Sequence, residues 1–190
     1  DGSGLVKWII GTTTGAHIFH FGFNSTQYIP FTYNHASGNS ASVYAATYHT
    51  GVPNLPFPPT VTHLRNNSGL DNSAFTVDRF WYLNVVGSTT YNVGLTFTAT
   101  PTEVGSLTSL VSQRWIEPTS AWTNPLQGTQ TSNAYGNTTT GLTGLLNWWT
   151  LTGNNSPLPI ELISFSGDCA EGMVELKWTT ASEINNDHFE

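Results

Sequence analysis

Charge is what this sequence has least of: Asp, Glu, Lys and Arg make up 9% of its 190 residues, against about 25% in an ordinary soluble domain. Water must therefore be met by Thr, Ser, Asn and Gly, the palette of secreted β-proteins. The five basic residues, Lys7, Arg65, Arg79, Arg114 and Lys177, stand singly against twelve acidic ones, and the net charge is −7. With no basic cluster to displace counterions from phosphates, nucleic acid is not an expected partner. One cysteine, Cys169, excludes an internal disulfide and a cysteine-based zinc site of ordinary spacing. No apolar run approaches the ~20 residues that span a bilayer, so the chain is not expected to cross a membrane. The sequence opens at Asp1-Gly2-Ser3 without an initiator Met or a signal-like stretch, and reads as a mature or excised piece. Convincing helical periodicity is missing as well.

Aromatic residues are plentiful, at 13% with seven tryptophans, within a hydrophobic fraction of 38%. A chain of this length with that content can bury a core, and it lacks the pairing of low hydrophobicity with high charge that marks disorder. Short runs of Val, Ile, Phe, Tyr, Trp and Thr alternate with Gly, Pro, Asn and Ser clusters, which is the periodicity of strands. Strands are expected over 5–10, 16–23, 28–33, 42–49, 60–65, 76–86, 92–100, 109–117, 121–123 and 145–151. In the second of these His17, Phe19, Phe21 and Phe23 share a face. Pro53, Pro56, Pro58 and Pro59 make 50–60 an extended loop, because proline cannot donate to a ladder. Pro101 to Gly105 suits a single helical turn, and 124–140, rich in Gly, Thr and Asn, reads as a connection.

Thr76 to Val86 is the strongest strand and is apolar on both faces, with Trp81, Leu83 and Val85 on one and Phe80, Tyr82 and Val86 on the other. A sandwich strand normally has one wet face. Its second face must therefore be covered within the domain or meet another domain or subunit. The pattern defines an all-β protein: an antiparallel β-sandwich over 1–152, jelly-roll or immunoglobulin-like. Residues 153–159, polar and proline-bearing, read as a linker. Beyond it, 160–165 and 173–179 form two strands around a turn at Ala170-Glu171-Gly172. A lone hairpin is marginal in water, so Leu162, Ile163, Phe165, Val174, Leu176 and Trp178 call for a cover.

The final segment, LPIELISFSGDCAEGMVELKWTTASEINNDHFE, and above all Trp178 to Asp187, resembles a stretch of many secreted and surface proteins of Bacteroidetes, where it opens a fibronectin type III-like domain. The region before it is similar, more loosely, to the β-sandwich modules that precede such domains: Gly15-Ala-His-Ile-Phe-His-Phe-Gly22 with Tyr28-Ile-Pro30, Asp78-Arg-Phe-Trp81, and Glu103 to Leu107 leading to Gln113-Arg-Trp115 and Trp122. The resemblance implies export from a Gram-negative cell by the type IX pathway, with a sorting domain elsewhere in the full protein. It implies that 160–190 is the first strand pair of an incomplete fibronectin type III-like domain, and it implies no single activity.

No catalytic constellation stands out. His17 and His20 are three apart, which on a strand sends them to opposite faces, and no spacing unites His35, His49 and His63 as ligands. Asp71 and Asp78 belong to no D-x-D-x-D-G calcium loop. Asp78, Glu103, Glu117 and Glu161 are the carboxylates available for glycoside hydrolysis, with nothing in their context to pair them, and no G-x-S-x-G elbow occurs. The four N-x-S/T sequons, at Asn24, Asn66, Asn137 and Asn154, are accounted for by composition. The reading is a protein that is not an enzyme and needs no cofactor or metal. Its expected function is structural or adhesive, at the cell surface, with partners that are copies of itself or neighbouring domains, self-associating into a filament or surface assembly through β-strand contacts. The assembly contacts would be Phe80, Tyr82, Leu162, Ile163, Phe165, Leu176 and Trp178. The alternatives are a carbohydrate-binding module, with surface glycans stacked on Trp115, Trp122, Trp148 or Trp149, and a passive spacer. Because Trp148 and Trp149 are adjacent, one should face the core and the other outward, and Trp81 should lie in the core.

Overall fold

The computed structural model describes residues 4–22, 26–50, 64, 71–87, 91–116, 121–145, 147–153, 162–170 and 173–180, the last two spans mainly as backbone. Their contacts divide the chain into two compact units, Asp1–Asn155 and Ser156–Glu190.

The first unit is a sandwich of two antiparallel sheets. Its strands are β1 (Val6–Gly11), β2 (Gly15–Phe19), β3 (Phe31–Gly38), β4 (Ala41–His49), β5 (Thr76–Val86), β6 (Tyr91–Thr98), β7 (Leu110–Ile116), β8 (Ala121–Trp122), β9 (Thr129–Gln130), β10 (Gly136–Leu142) and β11 (Asn147–Gly153). One sheet runs β1-β4-β5-β11-β7-β8 and the other β2-β3-β6-β10-β9. The class expected from periodicity is thus the class observed. The terminal unit contains β12 (Leu162–Ala170) and β13 (Met173–Thr180), which pair with each other as a two-stranded sheet.

Period-two alternation fills the space between the sheets. Val43, Ala45, Val77, Trp81, Leu83, Val85, Trp149 and Leu151 from the six-stranded sheet meet Phe19, Phe31, Tyr33, Val93, Leu95 and Phe97 from the other, all buried. Trp81, Phe97 and Trp149 form the aromatic centre, with Phe97 centroids 5.1 Å from Trp81 and 5.4 Å from Trp149. The indole N–H of Trp149 donates to the Leu145 carbonyl at 3.0 Å, so a large polar-tipped ring is buried without an orphaned donor.

The second face of β5 is covered inside the domain at Phe80, while Tyr82 on the same face is half-buried and Val86 is 50% exposed. Phe80 is fully buried in a smaller cluster with Leu64, Trp115 and Trp122, against which Trp148 packs. Leu64 is held over Phe80 by its backbone: its N–H donates to Ser73 Oγ at 3.1 Å and its carbonyl accepts from the Asn72 N–H. The two-sided strand therefore does not by itself demand a partner molecule, and Phe80 is not available as an assembly contact.

Residues 136–140, expected in a connection, belong to β10. Its inward positions are polar: Asn137 and Thr139 are buried and lie opposite Phe97 and Leu95 of β6. Asn137 donates to the Leu110 carbonyl at 2.7 Å and accepts from Thr139 Oγ1 at 2.8 Å, while Thr139 Oγ1 lies 2.7 Å from Ser112 Oγ. A strand with a satisfied polar inner face costs little to bury and carries no hydrophobic signature. The close approach also requires glycine at 136, where a Cβ would run into the Phe97 carbonyl oxygen.

Candidate functional site

Three places combine exposure, charge or chemistry. The first is an ion-pair cluster at one end of the sandwich. Thr100-Pro101-Thr102-Glu103 forms a capping box, in which the Thr100 side chain accepts from the Glu103 N–H at 3.3 Å and the Glu103 carboxylate accepts from the Thr100 N–H at 2.8 Å. The resulting single turn, α1 (Pro101–Val104), ends at Gly105, whose φ of +60° suits glycine. The turn aims Glu103 at Arg79, a fully buried residue of β5. Arg79 Nε donates to both carboxylate oxygens at 3.0 Å and Nη2 donates to Oε1 at 2.6 Å, while Nη1 donates to Thr47 Oγ1 at 2.9 Å. His49 Nδ1 lies 2.8 Å from Glu103 Oε1 with its side chain about one-third exposed (34%).

Burial pushes the Glu103 carboxyl up, but the hydrogen bonds and charge of Arg79 and the Thr100 N–H outweigh it and hold the group below its ordinary value of 4.5. Glu103 borders two clefts, one of about 250 Å³ shared with Gln27 and His49 and one of about 180 Å³ shared with Asp78. The fold thus brings together two of the four carboxylates singled out in the sequence. A carboxylate locked to a buried guanidinium stays ionised, whereas a glycosidase acid needs a raised pKa. The cluster ties α1, β4 and β5 together; it is not built for proton transfer. The T-x-x-E box with Pro101 was the sequence signal that would have marked Glu103.

The second place is the outer face of the six-stranded sheet. Trp148 is half-buried, with its ring 5.0 Å from Tyr82 and 5.5 Å from Tyr48 at interplanar angles of 61° and 57°. Lys7 Nζ sits 5.3 Å above the Tyr44 ring on the same sheet. Of the four tryptophans considered for sugar stacking, Trp149 is in the core, and Trp115 and Trp122 are 7% exposed with rings inclined at 63° to each other. These three offer no open, coplanar platform, because Trp115 and Trp122 are packed with Leu64 and Phe80 and the facing sheet covers Trp149. Trp148 retains open surface, as do the half-buried Tyr44, Tyr48 and Tyr82 on the same face.

The third place is the margin of the sandwich formed by β1 and β2, the edge strands of the two sheets. Trp8 closes the gap between them, with its ring 5.3 Å from His17 and 5.6 Å from Phe19. Around it the edge is apolar and open: Ile9 is 70% exposed, Leu5 and Val6 47% each, Trp8 38% and Ile18 37%. The opposite margin ends in β8 and β9, two residues each.

The remaining candidates separate. His17 is buried and 3.1 Å from the Thr13 carbonyl, while His20 is exposed and 2.7 Å from Tyr28 Oη. His35 is buried beside Tyr33. Asp71 binds the Ser73 hydroxyl and N–H. Among the described residues no group of three or more His, Cys, Asp or Glu is arranged to hold a metal ion. Asn137 is buried inside β10 and cannot accept a glycan in the folded state. His63, Glu117, Glu161, Asn24, Asn66, Asn154 and the strand expected over 60–65, apart from Leu64, lie outside the described residues, as do the side chains of Leu162, Ile163, Phe165, Leu176 and Trp178.

The class this architecture defines is an all-β, two-sheet antiparallel sandwich followed by a separate β-hairpin. Compared with protein families, with curated proteins and with solved structures, the chain matches none.

Proposed function

We propose that this chain is a non-enzymatic structural or adhesive module of an exported bacterial surface protein, and that it self-associates through the β1 edge. The carrying observation is the contrast between the two margins of the sandwich. Natural β-proteins blunt their edges with short strands, charge or cover, as β8 and β9 do here; β1 is six residues long and surrounds Lys7 with exposed Leu5, Val6, Trp8 and Ile9. An open apolar edge of this kind marks an interaction surface, and strand addition supplies both affinity and register. The charge-poor surface and the Bacteroidetes-like terminal segment fit export by the type IX route and an extracellular or cell-surface location.

Sedimentation velocity of the full chain over a wide concentration range tests the reading. Self-association is expected, and Ile9→Glu should shift the population toward monomer. A wild-type chain that remains monomeric at the highest concentration would remove the proposal.

The open surface of Trp148 and Tyr82, with Tyr48 beside them, supports a second reading as a carbohydrate-binding module. It predicts glycan-array binding that Trp148→Ala abolishes and Ile9→Glu leaves intact.

A further inference from the structure

We infer that the partner of the β1 edge is the β12–β13 hairpin of a second copy of this chain, which adds to the six-stranded sheet beyond β1. The inference rests on the self-association proposed above and specifies its two surfaces.

The hairpin has the properties of half a sheet. β12 and β13 pair only with each other among the described strands, leaving an unpaired margin on each, and an isolated two-stranded ribbon is marginal in water. The register sets Phe165 opposite Trp178, Gly167 opposite Leu176 and Cys169 opposite Val174, alternating with Ser166 opposite Lys177 and Asp168 opposite Glu175. One row of positions is therefore apolar and the other polar, the pattern of a sandwich sheet that lacks its facing layer. Val174, in the apolar row, is 64% exposed.

Of the four edge strands of the sandwich, β1 is the longest, with six residues against five in β2. β8 and β9 are too short to template a strand of eight or nine residues, whereas β1 has six. On β1 the exposed Val6 and Trp8 begin an apolar row that the hairpin's own row would continue.

Charge selects the same pairing. Seven of the twelve carboxylates lie within 156–190, against one cation there, Lys177, whereas no Asp or Glu occurs between positions 2 and 70. The acidic unit therefore meets no like charge on β1 to β4 and finds Lys7 on the edge itself. Pairing β1 with β1 of another copy would instead bring lysines together. Because donor and acceptor are different surfaces, each added copy exposes a fresh one of each, and the contact propagates as a filament wherever the rotation between copies does not close a ring.

Paramagnetic broadening between chains tests the pairing. A nitroxide is attached at Ser166→Cys in a chain whose Cys169 is Ser, and this unlabelled-isotope chain is mixed with a nitrogen-15-labelled Cys169→Ser chain. Loss of amide signal confined to Val6–Gly11 and its neighbours in β4, abolished by Ile9→Glu in the labelled chain, which repels the acidic hairpin, is the expected result. Broadening centred on β2, β8 or β9, or none despite association in sedimentation, overturns the pairing of the hairpin with β1 and leaves self-association standing. Broadening of β1 only by a nitroxide on the same chain, unchanged on dilution, also overturns it by showing that the hairpin docks at home. Absence of association at every concentration overturns both proposals.

Discussion

Replacing Glu103 by Gln removes one charge and almost no volume, and it should destabilise the sandwich severely. Arg79 is fully buried and directs Nε and Nη2 at the Glu103 carboxylate, with Nη1 on Thr47. After the substitution the guanidinium has no counter-charge, and the new amide NH2 faces donors from Arg79 or Thr100. Breaking one side of a buried pair costs about 3–5 kcal/mol, out of a total stability of roughly 5–15 kcal/mol. With a urea dependence near 2 kcal/mol per molar, that is a midpoint shift of about 1.5–2.5 M. Tryptophan fluorescence reports it, because six of the seven tryptophans precede residue 156. Removing both charges with Arg79→Met and Glu103→Leu should cost less than Glu103→Gln alone, since no uncompensated ion remains. A Glu103→Gln midpoint within experimental error of wild type, or a double variant less stable than Glu103→Gln alone, would refute the assignment of this cluster as the tie between α1, β4 and β5.

The same group sets a pH dependence. Its folded pKa is lowered, so its contribution is fully present above the unfolded value and is lost as pH falls through the folded one; in acid titrations followed by urea unfolding, the gap between wild type and Glu103→Gln should narrow. Trp149→Ala should cost about 3–5 kcal/mol as a core truncation, and Trp148→Ala clearly less, because Trp148 is only half-buried; thermal melts of the two separate inner from outer face. Gly136→Ala should destabilise by about 1–3 kcal/mol or more through collision with the Phe97 carbonyl oxygen, measurable by the same unfolding experiment.

What could be read from the sequence was whatever alternation alone determines. Thr76–Val86 appears with the expected bounds, Trp148 and Trp149 divide between outside and core, His17 and Phe19 share the buried face, and 101–105 makes a helical turn. β10 was illegible because its inward Asn137 and Thr139 are polar groups satisfied by Ser112 and Leu110, which lie 27 residues away along the chain. The cover on Phe80 was illegible for a related reason: Leu64, Trp115 and Trp122 converge only through the fold. Glu103 sits 24 residues from Arg79 and 54 from His49, beyond any local motif, although its capping box was in plain view. The open edge of β1 follows from strand order, which no periodicity specifies.

Amide hydrogen exchange of the full chain at low and high concentration tests the central claim most directly. If β1 receives a strand from another molecule, alternate amides across Val6–Gly11 gain protection as concentration rises, while the interior strands β5 and β11 stay unchanged. Protection of β1 that is the same at every concentration would contradict assembly through this edge.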